Sequence, residues 1–476
     1  MNARKTPAPS VNEYGRLLSS CDNELFEPQA FYQAEGHWSE RHLQCVWYND
    51  KLRPKNLTTR DGEPVEVLSP GRWNLEAGPD FLDASLLVGT ERRRIEGDVE
   101  LHVRPSAWTQ HGHADDPRYA NVAAHLTYFP GPHPSDLPSR VLEISLRDLL
   151  LATPRFSFDD IDLSAYPHAL LPTTPRPCQT VWGNDPDKGI SILMSAGRFR
   201  FERKRKRMES LIAKAGNPVQ ALYEGVMTAL GYKRNASPFR LLAKSYPISD
   251  WVKQDPFFNY AILLGLGGLL PHDEAPAQGN EQQFARLWHI WWRNPRPLPE
   301  PAIEWHLDAT RPNNHPKRRL AAAASLFSRT DEWMDILSKT DLGSPALAKN
   351  LGKLLRRFST WPGTEGTSGH SSDGARTTSC LLGDSRAAVI VNNALMPFLA
   401  ATRPDATDGI SENLRPETIS STMKIMANRL FGRDHNPVVL YGRSGLAQQG
   451  LLQIYSDFCL NSRNNCLDCA FGKNDR

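Results

Sequence analysis

Four acceptor-rich side chains alternate along one short segment and form the densest concentration of chemistry in the sequence. In RRIEGDVELHV, Glu96, Asp98, Glu100 and His102 occupy every second position. If Ile95–Val103 is a strand, its period of two places these four side chains on one face and the apolar residues on the other. Neighbouring carboxylates repel each other without a cation, so the pattern indicates either a solvated edge strand or a bound divalent ion.

Asp80 is a candidate ligand for the same ion. It stands at the start of the apolar segment Phe81–Val88, which precedes the acidic segment in the chain. An adjacent strand supplies a ligand most easily from its end, and Asp80 has that position. The sequence therefore predicts that Asp80 and Glu100 approach each other.

A second group of potential ligands follows directly. It comprises His111, His113, Asp116 and, on the next apolar segment, His125. Imidazoles suit zinc, manganese or iron, so this group is a candidate for a second metal site. The alternative is a turn whose histidines hydrogen-bond to neighbouring strands.

The cysteines favour a metal site over disulfides. Seven cysteines are an odd number, and the N-terminal segment has no apolar core typical of a secretion signal. Cys459, Cys466 and Cys469 are separated by six and then two residues, a spacing that can bring three thiolates to one ion. We expect Cys178 as the fourth ligand of zinc or an iron–sulfur cluster, with reduced core thiols as the alternative.

A run of basic side chains is the strongest local positive charge, because the whole chain has 56 Lys and Arg against 53 Asp and Glu. Such a run can follow a phosphate backbone, whereas the alternative is a solvated helix face with buried side-chain stems. The basic residues are Arg198, Arg200, Arg203, Lys204, Arg205, Lys206 and Arg207.

The elements that must position these residues are predicted as one helix followed by strands. Ser39 is a typical N-cap, and Leu43, Val46 and Trp47 after it have helical spacing. The predicted strands are rich in branched and aromatic residues and cover Pro64–Leu68, Phe81–Val88, Ile95–Val103 and Val122–Phe129. This order indicates an α/β module with a mixed sheet.

The rest of the chain is predicted to be mainly α-helical. We divide it into an N-terminal extension (1–38), the α/β module (39–165), a Pro-rich linker (166–188), a helical domain (189–358), a flexible loop (359–378) and a C-terminal helical segment with the cysteines (379–476). No apolar segment approaches the roughly 18 residues of a membrane span. We therefore expect a cytoplasmic protein without membrane partners.

Several long motifs together resemble one bacterial family, called domain of unknown function 2851. They are AGPDFLDA, GDVELHV, WTQHGH, DPRYANVAAH, LYEGVMTALGYKRNASPFRLLA, RPNNHPKRRLA, LYGRSGLAQQGLLQIYSDFC and CLDC, in this order. The resemblance spans most of the chain. It implies no activity, because the family name carries none.

The predicted module also resembles the core of the PD-(D/E)xK nuclease superfamily, which has a restriction-endonuclease-like mixed sheet. The resemblance implies that Asp80 and Glu100 hold Mg²⁺ or Mn²⁺, with Glu40 as the helical acid. His102 stands where that superfamily has lysine, and no lysine occurs between Lys55 and Lys188.

Three functions are compatible with this pattern. The first is a metal-dependent nuclease, in which Asp80, Glu100 and Asp98 surround the ion, His102 orients or deprotonates water, and the basic run holds the nucleic acid. The second is a non-catalytic nucleic-acid or protein-binding module on a decayed nuclease core. The third is a hydrolase of a small substrate, with a metal held by His102 and the histidines of the second group.

Overall fold

The chain divides into two units, and each is described by itself. In the computed structural model, the described residues are 11–20, 38–75, 78–153, 156–167, 178–179, 185–270, 281–300, 302–307, 314–361, 379–404, 409–432, 435–460 and 469–473. The first unit comprises Met1–Ala196, Lys424–His435 and Leu451–Arg476, and the second comprises Gly197–Met423 and Asn436–Gly450. Much of the predicted linker and most of the predicted flexible loop lie outside the described residues.

The first unit contains the sheet and the short helices around it. Its elements up to the end of the sheet are α1 (Val11–Ser20), α2 (Glu40–Tyr48), β1 (Leu57–Thr58), β2 (Pro64–Ser69), β3 (Arg72–Trp73), β4 (Phe81–Val88), β5 (Arg93–His102), α3 (Ala107–Gln110), β6 (Val122–Thr127), β7 (Leu142–Ser145) and α4 (Arg147–Ala152).

Helix α2 begins where the sequence predicts. Ser39 has extended backbone angles, and its carbonyl accepts the amide of His42 at 2.8 Å. The Ser39 amide donates to His42 Nδ1 at 3.0 Å, so the side chain of the third helical residue satisfies the N-cap backbone in return. The helix then buries Leu43, Val46 and Trp47 in the core of the module.

The mixed sheet has the order β1-β2-β4-β5-β6-β7, with β3 also paired to β4. Strands β1 to β5 pair antiparallel, whereas β6 runs parallel to both β5 and β7. The prediction of an N-terminal mixed sheet is therefore confirmed. Strand β5 has a neighbour on each side, so its polar side chains are not those of an exposed edge strand.

Irregular pairing on both sides of β5 sets the direction of its polar residues. Gly97 has φ +155°, and the amide of the following Asp98 donates to Asn121 O at 2.9 Å, just before β6 begins. On the β4 side the register shifts between Phe81 and Ala84. Beyond these shifts β5 is buried as far as its last residue.

The second unit is mainly helical, as the sequence predicts. Helix α5 begins in the first unit and continues into the second, and the chain returns to the first unit at Lys424–His435 and Leu451–Arg476. The helices and short strands from α5 onward are α5 (Pro186–Ala215), α6 (Pro218–Leu230), α7 (Tyr232–Ser245), α8 (Pro256–Leu266), α9 (Glu281–Arg293), α10 (Pro316–Phe327), α11 (Thr330–Ser338), α12 (Leu347–Phe358), β8 (Thr360–Trp361), β9 (Ser379–Cys380), α13 (Asp384–Ile390), α14 (Met396–Thr402), α15 (Ser421–Phe431), α16 (Gly445–Ile454) and α17 (Ala470–Lys473). Among the described residues, no helix is long and apolar enough to cross a membrane.

Candidate metal centre

Strand β5 and the segment after it bring one carboxylate and three imidazoles together. Glu100 and His102 alternate near the end of β5, and both are buried. The chain then turns through α3 and returns with His111 at the end of that helix and His113 in a 3-10 turn. Gly112 between them has φ +68°, a left-handed conformation that glycine adopts at little cost.

The ligand atoms of these residues are close to one another. His102 Nε2 lies 3.1 Å from His111 Nδ1 and 3.2 Å from His113 Nε2. Glu100 Oε1 lies 3.5 Å from His102 Nε2 and 3.4 Å from His113 Nε2. We call Glu100, His102, His111 and His113 the His–Glu cluster.

The His–Glu cluster is buried on one side and open on the other. Glu100, His102 and His113 are at most 7% exposed, whereas His111 is exposed. Tyr119 stacks on the ring of His113 with their centroids 3.9 Å apart, and Trp108 packs edge-on against the same imidazole. Solvent therefore reaches the cluster from the side of His111.

His125 lies behind His102 and is not one of the converging ligands. Its Nε2 is 2.9 Å from His102 Nδ1, the nitrogen that points away from the cluster. His125 is fully buried, and this burial lowers the pKa of its imidazole to about 4. A neutral His125 can accept the Nδ1 proton of His102, which leaves the Nε2 lone pair of His102 facing the cluster.

Asp80 lies next to Glu100, as the sequence predicts, but amides occupy three of the four oxygens of this pair. Asp80 Oδ1 accepts from Gln44 Nε2 at 2.7 Å, and Asp80 Oδ2 accepts from the amide of Leu101 at 2.9 Å. Glu100 Oε2 accepts from the amide of Asp80 at 3.0 Å. The remaining oxygen, Glu100 Oε1, faces the imidazoles.

Sequence reasoning missed Gln44 and selected Glu40 instead. Glu40 is at the first turn of α2 and is half-buried, whereas Gln44, one turn later on the same face, contacts Asp80. The spacing of four residues within a predicted helix was the available signal, because residues four apart share a face. The resemblance implies an acid on this helix, and for that reason the predicted residue is Glu40 and not Gln44.

The other two acids of β5 serve the sheet. Asp98 is buried, and its Oδ1 accepts the amide of Asp83 at 3.0 Å, where Asp83 has φ +59° in the irregular part of β4. Glu96 is exposed and pairs with Arg94 at 2.6 Å. The structure thus engages Asp98 as the cap of an irregular turn of backbone.

Asp116 and Arg118 lie on the turn that carries Tyr119. Asp116 is held by the side chain and the amide of Arg118, and these hydrogen bonds lower the pKa of its carboxyl to about 2. Among the described residues, one nitrogen from each of His102, His111 and His113 lies within 4.8 Å of the other two, and this group includes neither Asp116 nor Glu100.

The predicted basic run lies on α5 and is mostly half-buried. Arg198 pairs with Glu412 at 2.7 Å, and Arg205 pairs with Glu202 and Glu209. Of the seven basic residues, all of them described, Lys206 alone is exposed.

Two of the basic side chains share one neutral acceptor. Arg200 Nε and Lys204 Nζ both donate to Gln449 Oε1, at 3.0 and 2.7 Å. Burial, together with neighbouring Arg200, lowers the pKa of Lys204 to about 7. The run therefore matches the alternative of a helix face with buried stems more closely than a continuous exposed stripe.

Three of the four predicted cysteine ligands are described. Cys178 Sγ donates to the carbonyl of Arg429 at 3.6 Å, and Cys459 Sγ lies 3.5 Å from Met426 Sδ, so both thiols pack against α15 one turn apart. Cys469 immediately precedes α17. Cys466 lies outside the described residues, so the four-cysteine site stays a prediction.

The fold and the site together define a protein with an N-terminal mixed sheet, a partly buried His–Glu cluster at the end of strand β5 and a mainly helical remainder. Comparison with protein families places it further: residues 40–419 match the family described as "Protein of unknown function (DUF2851)". The chain belongs to this family, which confirms the family resemblance of its motifs. No curated protein and no solved structure matches the chain.

Proposed function

We propose that the protein hydrolyses phosphodiester bonds of nucleic acid with a divalent cation bound at the His–Glu cluster. The convergence of three imidazoles, with Glu100 Oε1 near two of them and Asp80 beside Glu100, is the observation that carries the proposal. A bound divalent ion supplies charge to the phosphate and lowers the pKa of water. The products are a phosphomonoester and a free hydroxyl, since the oxygen of water replaces one ester oxygen on phosphorus.

The order of the elements supports a nuclease-like core. One helix precedes three antiparallel strands, β2, β4 and β5, and a connection through α3 leads to β6, which is parallel to β5. This order is the one that the resemblance to the PD-(D/E)xK superfamily implies. Asp80 and Glu100 occupy adjacent strands within it, with His102 in place of the lysine.

Arg118, next to the Tyr119 that stacks on His113, has chemistry that suits a phosphodiester. Arg118 is about half exposed, and its side chain packs over Gly78, two residues before Asp80. A guanidinium at this position can contact a phosphate as its substrate approaches exposed His111. Trp108 and Tyr119 form an apolar wall that limits water on the other side.

The test is degradation of labelled single- and double-stranded DNA and RNA with Mg²⁺, Mn²⁺ or Zn²⁺. Glu100→Gln keeps an oxygen for the amide of Asp80 but removes the charge, so we expect cleavage to fall to background. Glu96→Gln is the matched control, because Glu96 lies on the same strand, is exposed and pairs only within the sheet surface. Equal cleavage by wild type and Glu100→Gln would refute the proposal.

A second candidate is hydrolysis of a small ester or amide, which the nitrogen-rich cluster also favours because imidazoles hold the metal in many such enzymes. Activity on nitrophenyl acetate, without cleavage of bis(nitrophenyl) phosphate or nucleic acid, would select this candidate. Binding of nucleic acid without any cleavage would select the non-catalytic module instead.

A further inference from the structure

The separations within the His–Glu cluster match those of ligands around one small cation. Ligands about 2.0 to 2.2 Å from a tetrahedral metal are roughly 3.3 to 3.6 Å from one another. His102 Nε2 lies 3.1 Å from His111 Nδ1 and 3.2 Å from His113 Nε2, and one nitrogen of each of the three histidines lies within 4.8 Å of the other two. Glu100 Oε1 lies 3.5 Å from the His102 nitrogen and 3.4 Å from the His113 nitrogen. Three nitrogens at such separations leave room for an ion between them.

One nitrogen of His102 faces two other imidazoles. His102 Nε2 lies within 3.2 Å of two ring nitrogens, whereas a neutral imidazole nitrogen carries at most one proton and donates one bond. His102 Nδ1 faces His125 Nε2, and with the proton on Nδ1 the lone pair of His102 is on Nε2. In that tautomer a cation can bind between the three nitrogens, with the negative charge of Glu100 beside it.

We infer that the protein holds a borderline divalent transition-metal ion, such as Zn²⁺, through His102 Nε2, His111 Nδ1 and His113 Nε2, with the Glu100 carboxylate beside two of these nitrogens. Asp80 and His125 are positioning residues outside this ligand set. Mg²⁺ prefers six oxygen ligands, whereas imidazoles favour ions of the zinc, manganese and iron type. The inference deepens the proposed function, because it assigns the ion to the imidazole side of Glu100 and not to the Asp80–Glu100 pair.

Positioning by His125 follows from the same geometry. His125 and Trp108 pack with ring centroids 5.4 Å apart, and both rings are at most 1% exposed. This packing fixes the orientation of His125 Nε2 toward His102. Loss of such an outer hydrogen bond costs about 10 to 100-fold in metal affinity.

The test measures metal binding by the full-length protein without substrate. We expect apo-protein to bind Zn²⁺ more tightly than Mn²⁺, and Mn²⁺ more tightly than Mg²⁺, in equilibrium dialysis. His111→Ala should weaken Zn²⁺ binding at this site by at least about tenfold, since an outer hydrogen bond alone is worth that much. His111 is exposed, so the variant is expected to fold, and circular dichroism checks that it does.

Two controls make the result specific. His133→Ala removes another exposed histidine of the same module, one that pairs with Glu143. Asp80→Asn keeps the backbone amide that holds Glu100 Oε2, so Zn²⁺ binding should persist, whereas a site on the Asp80–Glu100 pair would lose its ion. Metal bound by thiols cancels when each variant is compared with wild type, and the visible spectrum of bound Co²⁺ separates nitrogen from sulfur ligands.

The outcomes separate the ion from the reaction. Zn²⁺ binding that is unchanged in His111→Ala, or a preference for Mg²⁺, would overturn the inference even if nucleic acid is cleaved. Zn²⁺ binding that depends on His111 but not on Asp80 would support it even if no phosphodiester is cleaved, and the proposed function would then fail alone.

Discussion

Gly97 is the position where the fold and the His–Glu cluster depend on one missing side chain. A Cβ at this residue would lie 2.6 Å from Asn121 O and 2.7 Å from Ala123 Cβ. The second distance is about 0.8 Å inside the roughly 3.5 Å at which carbon atoms attract each other. Both obstacles are rigid parts of the chain entering β6, so Gly97→Ala must move β6 away from β5.

The expected cost has two parts. Overpacking of this kind costs about 1 to 3 kcal/mol, and a positive φ of +155° adds about 1 to 3 kcal/mol for a residue with a side chain. Gly62→Ala is the matched control, because Gly62 has φ +85° in the same module and nothing within 4 Å of its Cβ position. We expect about 1 kcal/mol for Gly62→Ala and about 2 to 6 kcal/mol for Gly97→Ala.

The displacement should also reach the cluster. His125 on β6 stands opposite Glu100 on β5, so separating the strands moves His125 away from His102. Urea unfolding gives the two stabilities, and Zn²⁺ dialysis gives the affinity of each variant that remains folded. Equal stability losses for Gly97→Ala and Gly62→Ala, with wild-type Zn²⁺ affinity in both, would refute the reasoning.

Three other perturbations have defined outcomes. Burial raises the pKa of the Cys45 thiol from 9.0 to about 12, so the thiol loses its proton at a lower pH in the unfolded chain than in the folded protein. Between about pH 8 and pH 10 the wild-type protein should therefore lose about 1.4 kcal/mol more stability than the Cys45→Ala variant, measured by urea unfolding. The fully buried side chain of Asn259 makes hydrogen bonds with the amide and the carbonyl of Val252 and with the hydroxyl of Ser328. Asn259→Ala should therefore lower the free energy of unfolding by about 2 to 4 kcal/mol and Ser328→Ala by about 1 kcal/mol, by the same measurement. Cys459→Ser should reduce bound zinc or iron by elemental analysis if the predicted thiolate site exists, and unchanged metal content would contradict it.

The alternation of side chains in the sequence predicted the sheet well, because this alternation follows from the extended backbone of a strand alone. Strand β4 has the predicted bounds, Phe81–Val88. The predicted alternation along β5 groups Glu96 with Asp98, Glu100 and His102, whereas Glu96 is exposed and the other three are buried. Strands of two residues, such as Leu57–Thr58, contain too few positions for any period to be read. They exist because β2 and β4 offer them partners.

The sequence alone could not distinguish the roles of the individual acids. Asp98 and Glu100 are equivalent in the pattern, but the positive φ of Asp83 turns its amide toward Asp98 and leaves Glu100 to face the imidazoles. That difference comes from the register shift between β4 and β5, which no local signal encodes. The same limitation applies to Gln44, whose hydrogen bond depends on where the carboxylate of Asp80 lies in the folded protein.

The replacement of the expected lysine by His102 changes where a cation can be held. A lysine ammonium beside Glu100 would pair with the carboxylate and repel an ion on that side. A neutral imidazole at the same position instead supplies a lone pair, and His111 and His113 arrive within 3.2 Å of it. Glu100 then divides its oxygens: Oε2 accepts the amide of Asp80 and fixes the strands, while Oε1 remains on the imidazole side. The imidazole at position 102 and the histidines of the following turn thus provide nitrogen ligands beside Glu100, the ligand type that favours Zn²⁺ over Mg²⁺ under the inference above.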